Sequence, residues 1–414
     1  MVGAGLAGLS CARNLYKADI PFVLLEKSEH VGGRVWTDRV KGFLLDRGFQ
    51  VVMTAYPELE QQLDLVGLDL GHFYPGAFVR YRGKMRTVAD PFRRFNAVFP
   101  TLFAPVGSLF DKMRVGRMRW RLNSLSLEQI WREPEMTAIE ALRTRYGFSE
   151  RILQRFLRPF LGGALGDPEL TQSSSRMLEF IFRCFAHGEI GLPAQGMASL
   201  PRQLASQLPN GSIHFRANVV ELGERWVRLE NGTTINGSAV VVATDGPTAA
   251  HLVSDESLLA PVEMLGHSCV YFSAEHPPLT EPIVVLNGEG ERDGPVNMLC
   301  VPSQVQPSYA PKERSLVACV TLGIPELEEE PLVRAVREQM TRWFGTRVES
   351  WEHLRSYRIS HALPKLPSME PPQRPVQLRP GLFACGDHRD NGSIDGALAS
   401  GRRCAEAVQQ ELQE

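Results

Sequence analysis

Three glycines near the start of the chain have a spacing that can bind a dinucleotide. Gly3, Gly5 and Gly8 form a G-x-G-x-x-G pattern. In this pattern the first glycine permits a tight turn, the second lets the backbone approach a pyrophosphate, and the third lets a helix pack closely on a strand. Glu26 follows at the end of an apolar stretch, where it would accept hydrogen bonds from an adenosine ribose. An acid there disfavours a 2′-phosphate, which argues against NADP.

Two further groups extend this predicted site. Gly32 and Gly33 precede Arg34. Adjacent glycines let the backbone lie against a flat or anionic group, and an arginine can pair with a phosphate. Near the other end of the chain, Gly386 and Asp387 directly follow a short apolar stretch. The sequence therefore predicts one site assembled from both ends of the chain.

The elements that would position these residues form a βαβ dinucleotide unit. The apolar spacing predicts a helix over residues 9–18 and a buried strand over 21–25. A second buried strand is predicted over 382–385, followed by a helix from about residue 395. Only Met1 and Val2 precede Gly3, whereas strands usually have about five or six residues. We therefore expect the dinucleotide to bind more weakly than in a chain extended upstream by about five apolar residues.

The order G-x-G-x-x-G, acid, G-G-R resembles the flavin-containing amine oxidoreductase superfamily, which includes monoamine oxidases, protoporphyrinogen oxidase and the phytoene and ζ-carotene desaturases. The resemblance implies non-covalent FAD. It implies that Val219 contacts the adenine through its backbone and that Asp387 hydrogen-bonds the ribityl or pyrophosphate region. Backbone N–H groups near Ile394, Asp395 and Gly396 would face flavin N1 and O2. The order of residues in 393–401 most resembles that in the desaturases.

The resemblance covers nearly the whole chain and implies an α/β fold, in which a Rossmann-like FAD-binding domain carries an inserted α+β substrate domain. The FAD-binding domain would be discontinuous, with residues 1–60, 191–255 and 355–414. The substrate domain would comprise 61–190 and 256–354. Within it the apolar patterns predict helices over 137–146, 149–160, 174–185 and 331–344, and strands over 268–272, 282–286, 296–301 and 316–322.

A second glycine-rich stretch, residues 288–294, is acidic, lacks the dinucleotide spacing and lies between two predicted strands. We interpret it as a hairpin loop. The chain would then have one dinucleotide site and no dedicated NAD(P)H site. Electrons would have to leave to oxygen, a quinone or another diffusible acceptor.

The composition excludes several classes of protein. Of the 414 residues 43% are hydrophobic and 22% charged, which excludes a disordered or fibrous chain. The 45 lysines and arginines nearly balance 47 acidic residues, so no general attraction to nucleic acid is expected. No apolar run is long enough to span a membrane. Seven scattered cysteines without ligand spacing indicate reduced thiols in a cytoplasmic compartment and no metal site.

One segment departs from this neutral balance. Residues 78–121 contain eleven basic residues but only two acidic ones, Asp90 and Asp111, and aromatic residues are interspersed among them. Such a segment suits peripheral contact with an anionic membrane surface. The alternative is a solvated, arginine-rich helix face over an ordinary core.

The residues also bear on the reaction. In the amine-oxidising branch of the family, a lysine on a substrate-domain strand holds a water beneath flavin N5. That position falls near Ser268 here, which disfavours amine oxidation. His267 and Tyr271 are pocket candidates, and no catalytic residue is assigned. We expect hydride removal from a bulky, lipophilic small molecule. An amine or amino-acid oxidase and a non-catalytic carrier-like binding protein remain alternatives, and the oligomeric state is undetermined.

Overall fold

A computed structural model describes residues 1–89, 101 and 103–413 of the chain. Its nucleotide-binding half is a small parallel sheet built from distant segments. Strand Leu24–Leu25 pairs with Ile213–His214, and strand Val240–Val242 pairs with Leu382–Ala384, both in parallel. Val2 joins the two pairs, because its N–H donates to Val241 O at 2.8 Å and it forms parallel bridges with Leu25 and Val242. The predicted Rossmann-like arrangement is confirmed.

Two long helices cover one face of this sheet. Helix Leu6–Lys17 lies against helix Ile394–Gln413, although 376 residues separate Lys17 from the start of the second helix at Ile394 (394 − 17 − 1). Gly401 makes this close approach possible, since a Cβ at that position would lie 2.3 Å from Ala7 O. Both helices were predicted from the sequence, and the first begins three residues earlier than expected.

The other half contains a seven-stranded sheet. The four predicted strands are confirmed, and three others were missed. In sheet order the strands are Glu352–Pro364, Met264–Ala274, Ser315–Leu322, Met298–Cys300, Val284–Asn287, Gly76–Tyr81 and Lys84–Ala89. Helix Glu329–Phe344 buries Leu332, Val336 and Met340 in a core shared with this sheet. The stretch 288–294 joins two antiparallel strands, as predicted for a hairpin loop.

A helical part packs beside this sheet. The predicted helices at 137–146 and 149–160 contain wider π-helical turns at Ala141–Arg145 and Leu153–Leu157. The α-helices of this part are Leu109–Ser124, Leu127–Arg132, Ala138–Glu140, Glu150–Ile152, Arg158–Leu165 and Ser175–His187. Helix Leu109–Ser124 begins with a capping box, in which Ser108 and Asp111 satisfy each other's backbone N–H groups.

Shorter elements complete the fold. A hairpin turns at Asn231 and Gly232 between strands Trp226–Leu229 and Thr234–Asn236. The remaining short elements are strands Thr37–Val40, Phe43–Asp46, Val52–Met53, Leu70–His72, Ile190–Pro193, Val219–Leu222 and Gln377–Arg379, and helices Pro57–Gln62, Ser199–Ala205, Gly246–Val253 and Pro302–Val305. Across the described ranges, none of the helices has both the length and the apolar character required to cross a bilayer.

Candidate active site

A cavity of about 1300 Å³ lies between the nucleotide-binding half and the helical part. Ligand pockets usually measure about 300–1,000 Å³, so this cavity has room for more than one small ligand. Its wall includes residues from both ends of the chain, among them Gly5, Glu26, Arg34, Asp387 and Ile394. The structure therefore brings the separated sequence motifs to one place.

The glycine loop has the shape that an approaching pyrophosphate requires. Gly3 has a φ of 102°, and a Cβ there would lie 2.9 Å from Ala243 O. A Cβ on Gly5 would meet no atom within 4 Å, because Gly5 faces the cavity. Gly5 is also the N-cap of helix Leu6–Lys17 and makes no side-chain cap hydrogen bond. The helix N-terminus thus presents N–H groups and partial positive charge to the cavity, which suits phosphate.

Gly8 has a different function in the same loop. It does not line the cavity, and a Cβ there would lie 2.0 Å from Gly3 O and 3.2 Å from the Ala243 side chain. Only a glycine lets the helix pack this closely on the strand that ends at Val242. The three glycines therefore divide between turn, ligand approach and packing.

Glu26 is buried at the end of its strand, where it holds the glycine loop. Its Oε2 accepts the Ala4 N–H at 2.8 Å, and its Oε1 accepts the Ser28 N–H at 2.9 Å. Each carboxylate oxygen has a second lone pair, so these bonds leave acceptor capacity for a ribose. The carboxylate is thus held in position by the backbone.

The G-G-R group lies directly against the glycine loop. The Gly32 N–H donates to Ala4 O at 2.8 Å. A Cβ added at Gly33 would lie 3.6 Å from the Gly5 Cα, at ordinary contact distance. Gly32 has a φ of 115° and Gly33 a φ of 58°, conformations that favour glycine. Because neither glycine has a side chain, the backbone at Gly32 and Gly33 lies close to the glycine loop where Gly5 faces the cavity.

Arg34 and Asp387 form a bidentate ion pair across the site. The two guanidinium nitrogens donate to the carboxylate oxygens at 2.8 and 2.6 Å, and Arg34 also donates to Ala362 O. Burial alone would raise the pKa of Asp387, but the positive charge of Arg34 outweighs it and holds that pKa below its ordinary value. From the sequence, Arg34 and Asp387 were each expected to contact the cofactor separately. In the structure they pair with each other.

The start of helix Ile394–Gln413 also reaches the cavity. Ile394 lines the wall, but Asp395 and Gly396 do not. Asp395 accepts the Glu58 N–H at 2.8 Å, and burial, reinforced by nearby carboxylates, raises its pKa to about 7. The Gly396 N–H donates to the Ser393 hydroxyl. The expected placement of the backbone N–H groups near Ile394, Asp395 and Gly396 towards a flavin stays a prediction.

Val219 lines the cavity beside Ala217 and Asn218, next to the glycine loop. Thr244 and Asp245 also line this part of the wall and were not among the predicted site residues. Asp245 is the N-cap of helix Gly246–Val253 and accepts the Thr248 N–H at 2.9 Å. The end of a strand followed by an N-cap residue is a signal that could have identified them.

The other part of the cavity is apolar and was missed by the sequence reasoning. Its walls come mainly from the helices of the helical part and from the large sheet. Phe160 stacks with Phe156 at a ring-centroid distance of 5.6 Å and approaches Phe185 at 4.9 Å. The apolar chamber, as we name it, is lined by Phe73, Val106, Phe156, Phe160, Ile181, Phe182, Phe185, Val284 and Met298. Aromatic residues spaced three and four apart were the available signal.

Strand Met264–Ala274 contributes one polar residue to the cavity. His267 lines it, and burial lowers the pKa of this histidine. Among the described residues its Nε2 has no hydrogen-bond partner. Tyr271 does not line the cavity, because its hydroxyl donates to Asp46 O in the core. The expectation that Tyr271 faces the pocket is therefore wrong, and Ser268 is buried within the strand.

The fold and the glycine loop are those of a dinucleotide-binding protein, and the apolar chamber forms the other part of the same cavity. A family model described as flavin containing amine oxidoreductase matches residues 6–409, so the chain belongs to this family. It is an FAD-dependent oxidoreductase. The glycine loop, the fixed Glu26 carboxylate and the open position at Gly5 fit the adenosine and pyrophosphate of that cofactor.

Similar proteins match this chain at low identity, and three of the following four match it over nearly its full length. A coproporphyrinogen III oxidase of Mycobacterium tuberculosis (strain ATCC 25618 / H37Rv) is 21% identical, over 99% of this chain and 96% of that protein. A similar enzyme of Propionibacterium freudenreichii is 29% identical over 175 residues, 40% of this chain and only 31% of that protein. A putative protoporphyrinogen oxidase from Exiguobacterium sp. 255-15 has a TM-score of 0.75 at 19% identity, with 100% and 98% of the two chains covered. Cyclohexylamine oxidase from Brevibacterium oxydans IH-35A has a TM-score of 0.73 at 16% identity, with 100% and 98% covered.

Proposed function

We propose that the chain removes a hydride equivalent from a bulky, predominantly apolar small molecule, as a desaturase or dehydrogenase does. Non-covalently bound FAD would supply the acceptor for that hydride equivalent and pass the electrons to oxygen or a quinone. The observation that carries this proposal is the apolar chamber, which opens into the same cavity as the glycine loop.

The roles proposed for the cofactor-binding residues follow from their positions. The helix N-terminus at Gly5 would hold the pyrophosphate, and Glu26 the adenosine ribose. The Val219 backbone would contact the adenine. The Arg34–Asp387 pair would contact the cofactor through the donors and acceptors that the ion pair does not use, so that the two residues act as one unit. Backbone groups at the start of helix Ile394–Gln413 would lie near the redox-active ring.

The chamber residues would act on the substrate by position and by excluding water. Stacked aromatic walls such as Phe156 and Phe160 can orient a flat, apolar molecule, and orientation alone contributes several kcal/mol to catalysis. His267 would be uncharged near neutral pH because burial lowers its pKa. It could therefore donate or accept one hydrogen bond without adding a charge to the chamber.

Amine or amino-acid oxidation is the second candidate, since amine oxidases such as cyclohexylamine oxidase share this fold. Glu189 lines the same cavity and lies 3.3 Å from His72, so a carboxylate there could meet a cationic substrate. By resemblance, the lysine position of the amine branch falls near Ser268, and strand Met264–Ala274 contains no lysine. We place this candidate second for that reason.

Anaerobic bleaching of the flavin tests both candidates. The FAD-loaded chain is mixed with porphyrinogens, polyenes, and aliphatic or aromatic amines, and loss of flavin absorbance is followed. We expect bleaching by porphyrinogens or polyenes, slowed in Phe182→Ala but not in Phe344→Ala, which lies outside the cavity. Rapid bleaching by amines alone would favour the second candidate, and no bleaching by any compound would contradict both.

We also propose that the chain works in a reducing cytoplasmic compartment and contacts a membrane peripherally through residues 78–121. All seven cysteines are buried and unpaired, which suits such a compartment. Part of the proposed segment, including Phe92, Arg93, Arg94, Phe95 and Phe99, lies outside the described residues. The structure describes residues 78–89, 101 and 103–121 of this segment.

A further inference from the structure

Helix Leu109–Ser124 exposes an unusual number of large apolar side chains. Phe110 is 68% exposed and Trp120 is 74% exposed, and Phe103, just before the helix, is 77% exposed. Leu109 and Met113 are also more than half exposed. Single exposed apolar residues are normal on a protein surface, but a contiguous group marks an interaction site.

The exposed residues lie on one side of the helix. At 3.6 residues per turn, Leu109, Met113 and Trp120 fall within a narrow sector, with Phe110 beside it. We call this side, together with Phe103, the outer apolar face. The adjoining sector lines the cavity and consists of Lys112, Val115, Gly116 and Arg119. The opposite sector is buried and consists of Asp111, Met118 and Leu122.

One helix therefore separates the outer apolar face from the cavity. Gly116 lies at the boundary between the two sectors, and a Cβ there would meet no atom within 4 Å. Beyond it, the cavity wall continues on helix Ser175–His187 through Phe182 and Phe185. An apolar molecule that reaches the outer apolar face is thus one helix width from the apolar chamber.

The segment that carries this face is rich in arginine, although Arg121 pairs with Glu133 at 2.5 Å. The sequence from 101 to 124 contains five basic residues, Lys112, Arg114, Arg117, Arg119 and Arg121, and one acid, Asp111. Asp111 is fully buried, where it caps the helix and accepts hydrogen bonds from Ser108 and Ser149. The charge presented to the outside is therefore positive.

We propose that the outer apolar face docks on a bilayer that contains anionic lipid, and that lipid-soluble substrate reaches the cavity past the same helix. Anionic headgroups would pair with Arg117 and with Arg114, whose guanidinium also contacts Asp111 at 3.4 Å, while the aromatic residues enter the acyl boundary. A second copy of this chain would instead bring two basic rims together, which like-charge repulsion opposes. The route of the substrate rests on the proposed function, namely the oxidation of an apolar molecule. The docking on lipid does not depend on that reaction.

Co-sedimentation of the FAD-loaded chain with vesicles tests the docking. We expect binding to phosphatidylcholine vesicles that contain phosphatidylglycerol, weaker binding as NaCl is raised, and little binding to phosphatidylcholine alone. The double variant Phe110→Ser/Trp120→Ser should lower the partition coefficient at least roughly tenfold, because two aromatic side chains no longer enter the lipid. Arg117→Glu should lower it by roughly fivefold or more.

Phe215→Ser is the matched control, since Phe215 is an exposed aromatic residue on the nucleotide-binding half. It should leave the partition unchanged. Flavin content and melting temperature should be unchanged in every variant, because the altered side chains are exposed. The emission of Trp120 should shift to shorter wavelength with anionic vesicles, and the shift should be absent in Trp120→Phe.

Three results would overturn the docking. They are equal binding to neutral and anionic vesicles, binding that survives the double variant, and a dimer in sedimentation velocity that Trp120→Ser dissociates. These measurements need no turnover. Failure of the bleaching experiment would therefore leave the docking standing, and failure of the docking would leave the proposed reaction standing.

Discussion

Changing two glycines of the G-x-G-x-x-G motif to alanine should affect different properties: Gly5→Ala should lower FAD affinity, and Gly8→Ala should lower stability. In Gly5→Ala the new methyl group would enter open space in the cavity, so the protein should fold, with at most about 1 kcal/mol lost at the helix N-cap. That methyl group would keep the pyrophosphate from the backbone N–H groups. Loss of one or two charge-assisted hydrogen bonds, about 1.5–3 kcal/mol each, should weaken FAD binding by roughly tenfold to a thousandfold or more.

Gly8→Ala should instead damage the fold. Its Cβ would lie 2.0 Å from Gly3 O, so the helix or the turn must move by more than an ångström. Overpacking of this kind costs about 1–3 kcal/mol, which exceeds the 0.5–1 kcal/mol that alanine usually gains over glycine within a helix. Gly116→Ala, with open space around its Cβ, is the control and should be neutral or slightly stabilising.

Flavin titration of the apoprotein, with melting temperatures recorded without FAD, separates the two effects. Gly5→Ala should keep nearly the parental melting temperature and lose affinity, while Gly8→Ala should lose several degrees before FAD is added. The reasoning would be refuted if Gly5→Ala bound FAD as tightly as the parent, or if Gly8→Ala melted like Gly116→Ala.

Three further outcomes are expected. Glu26→Gln presents an amide N–H₂ to one of two backbone N–H groups and should weaken FAD binding by about 1.5–3 kcal/mol, whereas the exposed Glu29→Gln should not, as flavin titration would show. Asp387→Asn breaks the bidentate pair and should cost about 1.5–3 kcal/mol of stability, less than a fully buried pair because Arg34 is one-third exposed, measured by denaturant unfolding. Burial raises the pKa of Asp395 to about 7, so the folded chain retains a proton that the unfolded chain releases near pH 4. Stability of the parent relative to Asp395→Asn should therefore fall as pH rises from about 4 to about 7, and a constant difference in melting temperature would contradict this.

Local patterns predicted two strands and both long helices of the nucleotide-binding half and four strands of the large sheet, but not strand Ile213–His214. Residues 316–320 of strand Ser315–Leu322 are all apolar because both faces of the strand are covered, and such runs are readable. The edge strand Glu352–Pro364 was missed because charged and polar residues interrupt its apolar positions and most of its residues are half-buried or exposed. The hairpin at Gly76–Tyr81 and Lys84–Ala89 was missed because Arg80, Arg82 and Arg86 conceal its alternation.

The site was predictable where function depends on the backbone, and less so where it depends on which side chains meet. Gly3, Gly5 and Gly8 have conformations and packing that the spacing already implied. The pairing of Arg34 with Asp387 joins residues 353 positions apart, and no local pattern contains it. The apolar chamber was unpredictable for the same reason, since it exists only where separate helices converge on the large sheet.

The contacts of the cofactor-binding residues have a consequence for affinity. Glu26 is held by two backbone N–H groups, and Arg34 is held by Asp387 and Ala362 O, so both charged side chains have protein partners that fix them. Ordering a rotamer-rich side chain on binding costs about 0.5–1.5 kcal/mol, so a site whose charged side chains are already fixed avoids that cost. The Arg34–Asp387 pair also ties the N-terminal G-G-R group to the C-terminal motif. Breaking the pair should therefore disturb both of the motifs that are proposed to hold the cofactor, and it should lower cofactor affinity as well as stability.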